Sequence, residues 1–245
     1  MPLSKDDRSR YARQLALPEI GEAGQERLLA SSVLIIGAGG LGSPAAFYIA
    51  AAGVGRLGIV DSDVVDLSNL QRQILHGSHD LGRKKALSAI ESLSDLNPSL
   101  KLEQFDTRLT ADNAPAIFAN YDFIVDATDN FASKVLIGEA AWRAGKPHSH
   151  GGIVAFVGQA FTIIPPKGPC VKCLYRSTPK DPATPRGPLG AVPGVIGSIQ
   201  AIEAIKFLAG LKPSLTDSVL FFDALTLTFR KVPLKANPKC ALCGA

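Results

Sequence analysis

The hexapeptide Gly37-Ala38-Gly39-Gly40-Leu41-Gly42 has the spacing GxGxxG and follows the apolar run Val33-Leu34-Ile35-Ile36. Glycines at that spacing let a backbone approach phosphate closely, and the start of a following helix offers unpaired N–H donors and a favourable dipole. Asp61 closes the next apolar run, Leu57-Gly58-Ile59-Val60. It stands near the usual distance for an acid that binds ribose hydroxyls. Together these residues predict a nucleotide site. They leave NAD, FAD and ATP open.

The stretch Asp61-Ser62-Asp63-Val64-Val65-Asp66-Leu67-Ser68-Asn69-Leu70-Gln71-Arg72-Gln73 is loop-like and dense in acids and donors. A dehydrogenase has little need of Asn69, Arg72 and Gln73 just past its ribose acid, whereas a triphosphate needs cations there. Lys85, after Gly82, can supply a second positive charge. Taken alone, Arg72 and Lys85 read equally well as a solvated face. A third cluster, Asp126-Ala127-Thr128-Asp129-Asn130, follows the apolar run Phe123-Ile124-Val125. A carboxylate there can hold magnesium against phosphates, since that ion prefers oxygen ligands. The other reading makes Asp126 or Asp129 the cap of a helix starting near Phe131, with one capping while the other binds metal.

The four cysteines fall in two CxxC pairs, Cys170-Val171-Lys172-Cys173 and Cys240-Ala241-Leu242-Cys243. Four thiolates suit a closed, structural zinc site; a redox pair is the alternative. His148 and His150 are expected to line the cleft as polar groups rather than to bind metal.

These residues need a frame that brings strand ends together. Apolar runs at Val33–Ile36, Leu57–Val60, Leu100–Phe105 and Phe123–Val125 alternate with helical segments at Ser43–Ala52, Lys84–Leu96, Asp112–Ala119 and Lys134–Ala144. That alternation predicts a Rossmann-like, doubly wound α/β sheet with ligands at the carboxyl ends of its strands. After Gly151 the pattern changes. Ile153–Ile164 predicts antiparallel strands, Tyr175–Gly194 a long loop with Lys180 and Arg186 that either folds over a partner's tail or is a disordered connector, Val195–Ala209 a helix, and Val219–Phe222 and Leu227–Val232 two more strands. We expect one domain over 1–245, with a nucleotide-binding half to residue 150 and a partner-binding and zinc half from 151.

Hydrophobic residues make up 46% of the 245 and charged residues 20%, the balance of an ordinary globular chain. The formal charge of +4 comes without a basic run, so nucleic-acid binding is not indicated. The polar start, Met1 to Arg8, lacks the apolar core of a secretory signal, and the apolar stretch Pro44–Val54 is too short for a membrane span. A cytoplasmic protein is expected.

The glycine loop, the Asp61–Gln73 stretch, Lys85 and Asp126–Asn130 resemble the adenylation motifs of the ThiF/MoeB/HesA family, relatives of ubiquitin-activating enzymes. Arg10-Tyr11-Ala12-Arg13-Gln14 is similar to a further family motif, and the likeness runs from about Ser9 to Gly244. It is nearest to members that serve molybdopterin synthase. The resemblance implies ATP-dependent adenylation of the C-terminal glycine of a ubiquitin-like sulfur carrier ending in Gly-Gly. It places Gly37, Gly39, Gly40, Gly42, Asp61 and Asp63 around the nucleotide, with Asp61 on the ribose. It sets Ser68, Asn69, Leu70, Gln71 and Arg72 along the phosphate path, and gives Arg72 and Lys85 the charge on it. It assigns magnesium to Asp129 with Asn130 alongside, and zinc to the four cysteines. Arg13 would reach the phosphates of a neighbouring subunit in a homodimer.

The loop Leu174–Gly194 holds no cysteine. The expected reaction therefore stops at the acyl-adenylate, and a separate protein supplies sulfur. A carrier for thiamine thiazole synthesis, an adenylated small molecule or tRNA, an NAD-dependent oxidoreductase and a non-catalytic partner platform remain as alternatives.

Overall fold

A strand with an unbroken apolar run such as Val33–Ile36 must be covered on both faces, and β1 (Ser32–Ile36) is buried along its whole length. Val33 and Ile35 enter one core with Ile49, Leu57, Phe123 and Leu208, while Leu34 and Ile36 enter a second with Phe118, Tyr121, Ile124 and Ile137. Each such side chain taken from water contributes about 1.5–3 kcal/mol. The structure, a computed structural model, describes residues 2–180 and 187–244. Arg186, expected in the long loop, lies outside the described residues.

The remaining strands are β2 (Arg56–Val60), β3 (Lys101–Phe105), β4 (Phe123–Asp126), β5 (His148–Val154), β6 (Val157–Ile163), β7 (Ser218–Asp223) and β8 (Thr228–Pro233). They form one sheet in the order β3-β2-β1-β4-β5-β6-β7-β8. Pairing is parallel from β3 to β5 and antiparallel from β5 to β8. The helices are α1 (Lys5–Arg10), α2 (Ala12–Leu15), α3 (Gly21–Ala30), α4 (Gly42–Ala51), α5 (Lys85–Leu96), α6 (Ala114–Phe118), α7 (Phe131–Arg143), α8 (Val171–Leu174) and α9 (Ala191–Ala209). Side chains of α3, α4, α5 and α9 fill the first core, and those of α6 and α7 the second. The doubly wound α/β expectation thus holds, with the parallel half and antiparallel extension in one continuous sheet.

The start of the antiparallel half differs from the sequence reading. Antiparallel pairing was expected from Ile153, but β5 begins at His148, runs parallel to β4 (Ile124 opposite His148, Asp126 opposite His150) and turns antiparallel only toward β6. The pair Gly151-Gly152 reads as a break, yet it sits inside the ladder opposite Ala160 and Gln159. A Cβ at Gly151 would lie 2.4 Å from Gln200 Oε1, so the glycine admits α9 against the strand. Gln200 Nε2 then donates to Asp126 O (2.8 Å) and Ser149 O (3.1 Å).

Helix α9 begins at Ala191, four residues before the expected Val195; Pro193 falls in its first turn, where no N–H partner is lost. By length and composition α9 could cross a membrane, but half of it is buried inside the protein. Its Glu203 accepts the Thr162 hydroxyl at 2.8 Å, which marks it as a core helix.

Most of the Arg10–Gln14 motif docks the N-terminal helices. Tyr11 is buried with its hydroxyl accepting from Asn97 Nδ2 (3.3 Å), Gln14 Nε2 donates to Ala52 O (3.0 Å), and Arg10 donates to Leu96 O (3.2 Å). Arg13 projects outward on α2.

Candidate active site

From β1 the sheet builds out to β2 on one side and to β4 on the other, and ligands of open α/β sheets gather beyond the strand ends at such a switch. A cleft of about 340 Å³ opens there, bounded by the glycine loop, Asp61, Asp63, Arg72, Lys85, Asp129 and Asn130. Groups separated by up to 93 positions (Gly37 to Asn130) in sequence thus face one space.

The glycine loop joins β1 to α4. Gly37 has φ +97°, and a Cβ on it would stand 2.8 Å from Ala127 O, so the loop and the turn after β4 touch directly. At Gly39 packing imposes no such limit: a Cβ would meet only Gln73 Nε2, at 3.5 Å. The space beside Gly39 is what a phosphate would use. Helix α4 has no side-chain cap, but Ser43 N already donates to Gly39 O (2.9 Å) and Pro44 has no N–H, so donors for an anion there must come from the glycine loop ahead of them. Gln73, another lining residue, carries a buried Oε1 without a partner among the described residues. His76 supports the loop from behind, with Nε2 2.9 Å from Ala38 O and Nδ1 2.8 Å from the Ser88 hydroxyl. Burial holds His76 below the ordinary imidazole pKa and keeps it neutral.

Asp61 ends β2 with both carboxylate oxygens engaged. Oδ2 accepts from Ala38 N and Oδ1 from Asp63 N, each at 2.8 Å. Each oxygen keeps a second lone pair for a ligand hydroxyl. Asp63 pairs with Lys85 Nζ at 3.0 Å, and the Lys85 side chain is only 7% exposed, so a desolvated ammonium stands at the cleft wall.

Past Asp63 the chain makes a 3₁₀ turn over Leu67–Asn69, capped by Asp66, which accepts from Ser68 N at 2.8 Å. Arg72 is folded back through Nη1 to Ser68 O (3.0 Å) and so aimed into the cleft. Of the stretch from Ser68 to Gln73, only Arg72 and Gln73 line that space; Ser68, Asn69, Leu70 and Gln71 shape the turn outside it. Arg108, on the loop after β3, also lines the cleft. The sequence reading missed it, because nothing in Thr107-Arg108-Leu109 marks it.

The turn after β4 corrects the sequence reading of Asp126. Neither it nor Asp129 caps α7: Asn130 Oδ1 accepts from Ser133 N at 2.8 Å. Asp129 is exposed to the cleft with Asn130 Nδ2 3.4 Å away. Asp126 is buried beside Lys134 (3.4 Å) and His150 (2.9 Å). Burial opposes its ionisation, but Lys134, His150 and Thr128 outweigh this and hold the carboxyl well below the usual range.

His148 and His150 likewise do not line the cleft; both are 1% exposed on β5. Burial lowers the pKa of each, that of His148 to about 4.

The cysteine expectation stands in geometry. Cys170 Sγ lies 3.9 Å from Cys173 Sγ and 3.5 Å from Cys240 Sγ, and Cys173 Sγ lies 3.4 Å from Cys243 Sγ. Thiolates at the corners of a tetrahedron with metal–sulfur bonds of about 2.3 Å are about 3.8 Å apart. The four sulfur atoms lie within 4.8 Å of one another and could hold a zinc ion. Burial opposes ionisation throughout the cluster and raises Cys170 and Cys243, but at Cys240 the backbone N–H groups of Cys243 and Leu242 and the neighbouring thiols outweigh it and lower the pKa. The cluster pins the C-terminal tail to α8.

Two expected residues stand apart. Arg13 is exposed on α2 and does not line the cleft, and Lys180 is exposed at the edge of the described segment.

Sheet order, glycine loop and acidic strand ends define a Rossmann-type nucleotide-binding protein with an added four-thiol knuckle. The chain belongs to the ThiF family, whose pattern it matches over residues 11–242. It is 44% identical to the sulfur carrier protein adenylyltransferase of Thermus thermophilus, over 100% of this chain and 93% of that relative. The probable molybdopterin-synthase adenylyltransferase of Porphyra purpurea is 43% identical over 93% of this chain and 61% of its own length. Among solved structures, E. coli MccB with ATP shares the fold, with a TM-score of 0.85 at 21% identity over 96% of this chain and 74% of that one.

Proposed function

We propose that this protein adenylates the C-terminal glycine carboxylate of a ubiquitin-like sulfur carrier, with ATP as the AMP donor. The observation that carries the reading is the convergence of Arg72, Lys85 and Asp129 on the glycine loop in one cleft. A carrier carboxylate oxygen attacks the α-phosphorus, a carboxyl–phosphoryl mixed-anhydride bond forms, the α–β phosphoanhydride bond breaks, and pyrophosphate leaves. No proton need move, so the chemistry asks for positioning and charge neutralisation. The glycine loop at Gly39 and Gly40 holds phosphate, and Asp61 holds ribose. Arg72 and Lys85 offset the charge that builds on the phosphate oxygens. Asp129, with Asn130, holds the magnesium that screens those oxygens. The sulfurs of Cys170, Cys173, Cys240 and Cys243 hold zinc, which fastens the tail.

Sulfur comes from a separate donor protein, and four reduced thiols in reach of one ion suit the cytoplasm. The working unit is a homodimer in which Arg13 reaches the partner's phosphates. Exposed Tyr48 on α4 and Ile202 on α9 offer apolar surface for the dimer contact. The carrier docks on the hairpin end of the sheet, where Val154, Phe156, Leu189, Leu225 and Leu227 are exposed. That apolar surface adjoins Ile153 of the cleft wall, so a bound carrier can thread its tail inward. We put the carrier of molybdopterin synthesis first, in keeping with the Porphyra relative, and that of thiamine thiazole synthesis second. Both end in the same Gly-Gly, so the cleft treats them alike and the docking surface decides.

ATP–pyrophosphate exchange tests the reading. Exchange that appears only with a Gly-Gly carrier supports it, and the carrier that works names the pathway. Exchange driven equally well without any carrier would sink it.

A further inference from the structure

A directed chain of hydrogen bonds, half-buried at its outer end and buried at its inner one, ends at Asp126, a residue the adenylation chemistry leaves unused. Gln159 Nε2 donates to the Tyr175 hydroxyl oxygen (2.7 Å), the hydroxyl donates to His150 Nε2 (2.9 Å), and His150 Nδ1–H donates to Asp126 Oδ2 (2.9 Å). The ionised carboxylate can only accept, which fixes the imidazole tautomer and the direction of each bond. On Oδ1, Asp126 accepts from Thr128 N (3.1 Å) and from the Thr128 hydroxyl (2.7 Å). Lys134 reaches the same oxygen at 3.4 Å and also donates to Gly151 O.

The two carboxylate oxygens therefore have different duties. Oδ1 grips the turn that carries Asp129 and Asn130 into the cleft and abuts Gly37. Oδ2 has His150 as its hydrogen-bond donor, and that bond sets the rotation of the carboxylate. Lys134 neutralises the charge, but at 3.4 Å and shared with a carbonyl it does not fix the plane. Tyr175 is anchored in turn: its N–H donates to Val171 O (2.8 Å), and its ring meets Phe131, the first residue of α7, edge to face at 5.5 Å.

We propose that His150 is a positioning residue for the transferase reaction: through Asp126 it holds the Thr128–Asn130 turn in register with the glycine loop, and Tyr175 holds His150. The proposal rests on the cleft being the adenylation site.

The test is ATP–pyrophosphate exchange by the full chain, measured with the active carrier while magnesium is titrated. Loss of a side chain that supports a ligand from behind lowers activity or metal affinity by about 10- to 100-fold. His150→Ala should lower turnover by about that factor and raise the half-saturating magnesium concentration in parallel. His150→Asn, whose amide can still donate to Oδ2, should recover to within about threefold of wild type. Tyr175→Phe, which keeps the ring packing, should fall between them.

His150→Ala within about twofold of wild type in both quantities would overturn the proposal, as would His150→Asn no better than His150→Ala. If His150→Ala does not fold, an unchanged Tyr175→Phe overturns it instead. Asp129→Ala separates the two layers. Silent His150 variants beside an inactive Asp129→Ala sink the positioning role alone, whereas a fully active Asp129→Ala sinks the reading of the turn and the proposal with it.

Discussion

Arg72 and Arg108 both line the cleft, yet their surroundings give them different work. Arg72 is pinned by Ser68 O at a fixed place opposite the glycine loop, whereas Arg108 is an exposed side chain on the loop after β3. A pinned cation acts on charge that develops during reaction; an exposed one adds mainly to ground-state attraction. Arg72→Ala should thus lower kcat/KM for exchange by about 10²–10³, chiefly in kcat, with the thermal midpoint unchanged. Arg108→Ala should raise KM for ATP several-fold with kcat held. Steady-state kinetics on both variants check this, and the reverse pattern would contradict it. Arg72 and Asp129 were legible in the sequence because each sits in a dense polar cluster just past a strand-end acid, and Lys85 because the family resemblance gives it a role beside them. Arg108 and Lys134 were not. Their significance depends on which neighbouring strand end they face, and periodicity does not report that.

Among elements, β5 and the cysteine knuckle divide what a sequence reveals. The CxxC pairs suggest an ion site because thiolate spacing suits coordination geometry, and the structure brings the four sulfurs together where residues 240–243 meet α8. Strand β5 was harder. Its histidines were expected in the cleft and a change of pattern was expected after Gly151, and only the approach of α9 explains why glycine belongs in the ladder. The Asp126–Asp129 alternatives were resolved by Asn130, which takes the cap and frees Asp129 for the cleft. If zinc fastens the tail, its binding energy is part of the folding energy. Metal analysis of the purified protein should find about one zinc per chain, and a strong chelator should lower the thermal midpoint by at least about 5 °C. Equal midpoints with and without the chelator would argue that the cluster needs no metal.

Across the whole molecule the buried histidines set an acid limit. Burial brings His148 to about 4 in the folded protein, against about 6.5 in an unfolded chain. Between those values the unfolded chain binds a proton that the folded one refuses. Stability is therefore full above pH 6.5 or so and falls as pH drops toward 4, by about 3 kcal/mol for this side chain. His76 and His150 are shifted in the same direction. Urea midpoints followed with pH should show the decline, and His148→Leu should make it shallower; an identical slope in the variant would remove His148 from the account. The doubly wound class of the sheet was predictable from alternating strands and helices, though its strand order was not. Nor was the depth at which His148 and His150 lie, since polar residues in a strand do not declare which face covers them. In the proposed reaction ATP and a carrier meet at the cleft, and the measurement closest to the central claim is carrier-dependent ATP–pyrophosphate exchange by wild type and Asp129→Ala. The account predicts rapid exchange by the wild type with one Gly-Gly carrier and none by the variant, both remaining folded. Exchange by Asp129→Ala at the wild-type rate, or none by the wild type with any carrier despite bound ATP, would contradict it.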